Sequence, residues 1–118
     1  MKLVYTAGKY RGGTIWGTRQ NIRLAELVMG DLVCMGLSVI CPHKNTALMD
    51  GIVSPNDHEV WLAIDLEMLK RCDAIVMLPN WINSEGAKAE LEKAKEWGLD
   101  VFFYPRDIKK LMRYAIQE

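Results

Sequence analysis

The sequence predicts an α/β domain: a three-layer, Rossmann- or flavodoxin-like sandwich with a short parallel sheet of about four strands and helices on both faces. Three observations carry this expectation. Short β-branched or aromatic runs alternate with segments of helical periodicity, the order that parallel sheets impose. The run Ala74-Ile75-Val76-Met77-Leu78 is apolar without a break, which suits a strand buried on both faces. Glycine or proline stands near where most elements should end. With 118 residues the chain has the length of one domain, spanning 1–118.

Leu3-Val4-Tyr5, ending at Ala7-Gly8, reads as the first strand. Residues 8–17 hold four glycines and read as a loop. Thr18 is the expected N-cap of a helix over about 19–36, with Ile22, Ala25, Leu27, Val28, Leu32 and Met35 near helical spacing and Gly36 as its stop. Leu37 to Cys41 is the second strand, closed by Pro42. Residues 42–55 are rich in turn formers and read as irregular. Ser54-Pro55-Asn56-Asp57 opens a helix over about 57–72. The 74–78 strand is followed by a loop from Pro79 to Asn83. Ser84 caps a helix running to about Trp97, with Glu85 in its first turn and Gly98 at its end. Val101 to Tyr104 is the last strand, and Pro105 begins a terminal helix carrying Ile108, Leu111, Met112 and Ala115. In such folds ligands bind outside the carboxyl ends of the strands, which places a site in the loops after Tyr5, Cys41 and Leu78.

Composition narrows the function classes. Fifteen Lys plus Arg balance fifteen Asp plus Glu, so the basic excess that drives general nucleic-acid binding is missing. No apolar run approaches the roughly 18 residues of a membrane helix. The three cysteines are dispersed in apolar surroundings, with neither a CxxC nor a Cys/His cluster, so they read as buried hydrophobes in a reducing compartment. We therefore expect a cytoplasmic protein without metal or cofactor, and with neither a nucleic acid polymer nor a membrane as partner.

Two carboxylates stand where a core is expected. In the 84–97 helix Ala87, Leu91 and Ala94 follow the i, i+4, i+7 pattern of a buried face, and Glu90 lies on the same stripe. In the 57–72 helix Trp61, Ile64, Met68, Leu69 and Cys72 form an apolar face with Asp65 in its middle. A carboxylate so placed loses hydration, at a cost of several kcal/mol unless partners restore it. A stripe-edge residue bending to solvent, or a buried ion pair, would account for either acid alone. Two such acids on helices flanking the strand that ends at the pocket suit glycosidic chemistry, in which one is ionised and the other protonated.

The loop Lys9-Tyr10-Arg11-Gly12-Gly13-Thr14 joins two cations to backbone that a ligand can approach closely, as a phosphate or ribose hydroxyls require. It is neither a GxGxxG nor a P-loop, and a flexible turn with solvated charges is the more common explanation of such a segment. Ser84 at a helix N-terminus is a cap and also part of an anion site. His43 follows Pro42 at the mouth of the expected site, a candidate for ligand contact although a lone loop histidine is more often structural. Trp81 and Trp16 offer rings for stacking on a base, or for an oligomer interface.

These spacings resemble the nucleoside 2-deoxyribosyltransferase superfamily, including the 2'-deoxynucleoside 5'-phosphate N-hydrolases, and within it a branch found in phages and bacteria. The resemblance spans about residues 2–104. It rests on Val4-Tyr5-Thr6-Ala7-Gly8 with Arg11-Gly12-Gly13, Asp65-Leu66-Glu67 with Asp73, Ser84-Glu85-Gly86, and Ala89-Glu90-Leu91. It implies that Glu90 attacks C1' of the sugar to form a glycosyl-enzyme intermediate. Asp65 would then donate a proton to the departing base, and Tyr5 would orient nucleophile and sugar. It also implies that Ser84 and the Arg11-Gly12-Gly13 loop contact a 5'-phosphate, with Gly8 and Gly86 as further substrate-binding residues, and that the chain is a homo-oligomer, a dimer or larger, with shared pockets. Helical phase had singled out Glu90 and Asp65 independently. The segments Leu78 to Asn83 and Pro42 to Thr46 depart from the catalytic pattern, and both lie where a base would be read. The expected function is thus cleavage or transfer at the N-glycosidic bond of a nucleoside 5'-phosphate or related nucleotide. Two alternatives are non-catalytic sequestration of a nucleotide or nucleotide-derived signal, and an assembly component with a vestigial pocket.

Overall fold

The computed structural model describes residues 1–45, 49 and 58–117. Four strands, β1 (Leu3–Ala7), β2 (Ser38–Ile40), β3 (Ala74–Met77) and β4 (Asp100–Phe103), form one parallel sheet in the order β2-β1-β3-β4. The helices are α1 (Ile15–Cys34), α2 (Pro42–Asn45), α3 (His58–Lys70), α4 (Glu85–Glu96) and α5 (Ile108–Ala115), with a 3₁₀ turn at Trp81–Asn83. The chain leaves β1 toward β2 and returns across the sheet to β3. The reversal in strand order therefore falls between β1 and β3, the switch point where ligand crevices form.

Side-chain alternation along the strands divides the core in two. Val4, Ala74, Val76 and Phe102 pack with Ala25, Val28 and Leu32 of α1 and Leu111 and Tyr114 of α5. On the opposite face Tyr5, Ala7, Ile75 and Met77 pack with Leu69 of α3 and Ala87, Leu91 and Ala94 of α4. This is the three-layer sandwich expected, and β3 is buried along its whole length.

Helix ends follow local chemistry. Gly36 takes φ 97° after α1, and the Leu37 amide returns to the Leu32 carbonyl at 3.2 Å. Gly98 does the same after α4 with φ 73°, the Leu99 amide reaching Ala94 at 2.9 Å. Only glycine adopts this left-handed turn without strain, so each helix stops there and its successor strand starts in register.

Several boundaries differ from the sequence expectation. Helix α1 begins at Ile15, because Thr14 and not Thr18 caps it: Thr14 Oγ1 accepts from the Gly17 amide at 3.0 Å. Thr18 instead accepts the Gly12 amide at 3.1 Å, tying the glycine loop to the first turn. Leu27, assigned to the apolar face, is 53% exposed. Pro42–Asn45 forms a short helix where irregular chain was expected, with the Lys44 and Asn45 amides both returning to the Cys41 carbonyl. Helix α5 starts at Ile108 rather than Pro105, since the Asp107 carboxylate reaches back to accept the Phe103 amide at 2.8 Å. The expected helix opening at Ser54-Pro55-Asn56-Asp57 lies outside the described residues, as does most of the 42–55 segment. Among the described residues no helix is long and apolar enough to cross a membrane.

Candidate active site

A cavity of about 270 Å³ opens at the carboxyl end of β1, close to the roughly 300 Å³ at which small-molecule pockets begin. Its floor is Tyr5, fully buried, whose hydroxyl donates a hydrogen bond to the Glu90 carboxylate. Glu90 reaches this position because α4 packs its Ala87, Leu91 and Ala94 stripe on the sheet, and the same stripe carries Glu90 inward to 7% exposure. Asp65 enters the cavity from α3 beside Trp61 and Leu62. Its Oδ1 is buried and has no hydrogen-bond partner among the described residues. Ile64, placed on the apolar face by spacing, is 40% exposed, and the sheet-facing side of α3 runs instead through Leu66 and Leu69.

Burial governs the electrostatics of this pair. Desolvation pushes Glu90 up to about 8, opposed by the Tyr5 hydrogen bond and reinforced by the Asp65 charge. Desolvation likewise pushes Asp65 up to about 6. Between those values the two carboxyl groups hold one proton between them. Tyr5 is raised well above the ordinary phenol range by its burial and then by the two carboxylates, so it remains a donor.

The opposite wall is the loop after β1. A Cβ on Gly8 would come within 2.6 Å of Asn80 Oδ1 and 2.7 Å of the Leu78 side chain, so this position has room for glycine alone. Asn80 accepts the Lys9 amide at 3.0 Å and donates to Asn21 at 3.2 Å, and Asn21 donates to the Tyr10 carbonyl at 3.0 Å. His43 Nε2 bonds the Lys9 carbonyl at 2.9 Å, and the Tyr10 ring meets the imidazole edge-on. Burial lowers the His43 pKa, keeping the imidazole neutral.

A third wall is the start of α4. Ser84 Oγ accepts the Ala87 amide at 3.1 Å, and the first helical bond runs from Lys88 to the Ser84 carbonyl. The amides of Glu85 and Gly86 precede that bond and so have no intrahelical acceptor, which makes this end of the cavity suited to an anion.

Of the residues singled out from sequence, Tyr5, Gly8, Arg11, His43, Asp65, Ser84, Gly86 and Glu90 line this cavity. Gly12, Gly13 and Trp81 are not among its lining residues. The Gly12 backbone lies so close to Gly17 that a side chain would overlap it, and Gly13, at φ 81°, turns the chain into the Thr14 cap. Both glycines therefore shape the start of α1. Trp81 packs against Phe103, ring centroids 5.5 Å apart, on the α3–α4 face of the sheet. Trp16 is exposed and also absent from the lining. Asp73, part of the quoted pattern, accepts the Leu3 amide at 2.8 Å at the other end of the sheet. Sequence reasoning missed Trp61, Leu62, Asn83 and the Asn21–Asn80 bridge. A glycine pressed directly behind a strand was the available signal that something packs there. Among the described residues no group of three or more His, Cys, Asp or Glu side chains could hold a metal.

Residues 2–103 match the family model described as a domain of unknown function, DUF4406. No curated protein matches the chain. Among solved structures, the 2-deoxyribosyltransferase from the psychrotolerant bacterium Bacillus psychrosaccharolyticus aligns with a TM-score of 0.64 at 18% identity, covering 86% of this chain and 70% of that one. That likeness shows a common fold. The chain therefore belongs to the DUF4406 family and has a nucleoside 2-deoxyribosyltransferase-like fold.

Proposed function

We propose that this protein cleaves the N-glycosidic bond of a nucleoside 5'-phosphate or a related nucleotide by double displacement. The observation that carries the reading is the buried Tyr5–Glu90 hydrogen bond facing, across one cavity, a second desolvated carboxyl group on Asp65. The solved 2-deoxyribosyltransferase of like fold supports the coarser part of this reading, chemistry at a nucleoside glycosyl bond.

In the first step a Glu90 carboxylate oxygen attacks C1', the bond from C1' to the base nitrogen breaks, and the nitrogen takes a proton from Asp65. In the second step water attacks C1', Asp65 accepts the water proton, and the ester bond to Glu90 breaks to restore the carboxylate. A second base in place of water would make the reaction a transfer. Burial lifts both carboxyl groups, Glu90 further than Asp65, and the pair shares a single proton. Attack requires it on Asp65. Positive charge developing at C1' favours the ionised form of Glu90, and the departing nitrogen calls for an acid at Asp65, so bound substrate favours that arrangement. Tyr5 keeps donating to Glu90 throughout and holds its carboxylate in place. The amides at the start of α4 that lack an intrahelical acceptor, with Arg11, suit the 5'-phosphate, while Gly8 lets Asn80 and Leu78 pack against the β1 loop that borders the cavity.

Incubation of the protein with ribo- and 2'-deoxyribonucleoside 5'-monophosphates, followed by chromatography, tests the proposal. Free base should be released from at least one of them. A nucleotide that raises Tm but returns intact would instead support a sequestering module, and no base from any nucleotide would contradict catalysis.

A further inference from the structure

Three buried side-chain atoms among the described residues have no hydrogen-bond partner: Thr6 Oγ1, His43 Nδ1 and Asp65 Oδ1. All three residues line the same cavity. Buried polar atoms in folded proteins are nearly always paired, so three orphans on residues that border one cavity call for a reason. Asp65 is already engaged in the proposed chemistry, and the Thr6 hydroxyl can either donate or accept. His43 is different, because its role is fixed by geometry.

The imidazole is 4% exposed and held from two sides. Its Nε2 lies 2.9 Å from the Lys9 carbonyl oxygen, and the Tyr10 ring packs edge-on at a centroid distance of 5.8 Å. A carbonyl oxygen only accepts, so Nε2 carries the hydrogen. In the neutral ring that leaves Nδ1 with a lone pair and no proton. The backbone under it is equally constrained, with α2 closed onto Cys41 and Lys44 Nζ joined to Glu26 of α1 at 2.9 Å. The ring is thus pinned, with an unpartnered acceptor on a residue that borders the cavity.

We infer that His43 Nδ1 reads a hydrogen-bond donor on the bound ligand, so that the site selects a molecule presenting N–H or O–H at this wall over one presenting a carbonyl oxygen there. On the proposed nucleotide reading, on which this inference rests, the donor is either an exocyclic amino group of the base or a sugar hydroxyl.

Calorimetric binding to the Glu90→Gln protein, which holds substrate without turnover, separates these sources. Cytidine against uridine and adenosine against inosine 5'-monophosphates vary the amino group, and their 2'-deoxy and 3'-deoxy forms vary the hydroxyls. One of these changes should weaken binding about 10-fold, the worth of one hydrogen bond. His43→Gln should erase that difference, because the glutamine amide can still donate to the Lys9 carbonyl but offers no acceptor at the Nδ1 position. His43→Phe should erase it as well, and Tm of both variants checks that the fold survives. Independently of any variant, the nitrogen-15 spectrum of the wild-type imidazole should show the Nε2–H tautomer, with the Nδ1 resonance moving on ligand addition. A spectrum with hydrogen on Nδ1 would overturn the inference. So would nucleotide binding whose discrimination is unchanged in His43→Gln, and that result would leave the glycosidic reading intact. Failure of every nucleotide to bind the wild type would overturn both.

Discussion

At the amino ends of the strands, polar groups are partnered and near solvent. Asp73 accepts the Leu3 amide at 2.8 Å, Tyr114 donates to Asp100 at 2.9 Å, and Lys2 lies 5.1 Å above the Tyr114 ring. At the carboxyl end of β1 the pattern inverts. Glu90 and Asp65 are withdrawn from water and raised by burial, and Thr6, His43 and Asp65 keep unpaired atoms among the described residues. One rim uses charge to fasten the sheet, and the other spends stability to keep charge available. That asymmetry is expected when one end of a domain holds the fold and the other performs chemistry, since desolvated groups cost free energy that the rest of the fold must offset.

Substitutions at the two rims should therefore fail in opposite ways. Glu90→Gln preserves an acceptor for the Tyr5 hydroxyl but cannot form a glycosyl ester, so base release should fall on the order of 10³-fold or more while the fold persists. Asp65→Asn should lower turnover by roughly 10²-fold to 10³-fold by removing the acid. Its effect should shrink on a nucleotide whose base leaves without protonation, and steady-state kinetics on the two substrates would show this.

The pH dependence of stability gives a third contrast. The Glu90 pKa is raised by folding from 4.5 to about 8, so its protonated form contributes stability that is complete below 4.5 and lost as pH rises through 8. Thermal melts without ligand should show Glu90→Gln gaining Tm over the wild type progressively between those values, with the two alike at the acid end. A constant difference would mean that Glu90 is not desolvated. At the amino rim the effect should be smallest: Asp73→Ala should cost about 1 kcal/mol through loss of the Leu3 hydrogen bond and leave turnover unchanged.

Much of this was legible in the sequence where one local signal decided the outcome. The apolar run at Ala74–Met77, the left-handed glycines Gly36 and Gly98, and the Ser84 cap each fixed an element boundary. Glu90 was visible because α4 packs one stripe on the sheet and the residue sits on it. Other features depended on tertiary contact. Thr14 caps α1 in place of Thr18, whose hydroxyl is taken by the Gly12 amide where the Gly12 backbone approaches Gly17. The α2 turn is four residues long, too short to carry a period. Trp81 carried an aromatic ring in a loop near the site, but Phe103 on the last strand captures it. The bridge from Asn80 to Asn21 joins residues 59 positions apart, a pairing that no local pattern encodes.

The account stands most directly on what Glu90 does when substrate is bound. Incubation with a nucleoside 5'-phosphate bearing fluorine at the 2' position should slow the second step and let the sugar accumulate on the protein, visible as an increase in intact mass. Peptide mapping should place that sugar on Glu90, and Glu90→Gln should show no increase. Turnover of an ordinary nucleotide with no adduct formed, or an adduct on Asp65, would contradict the roles assigned to the two carboxyl groups.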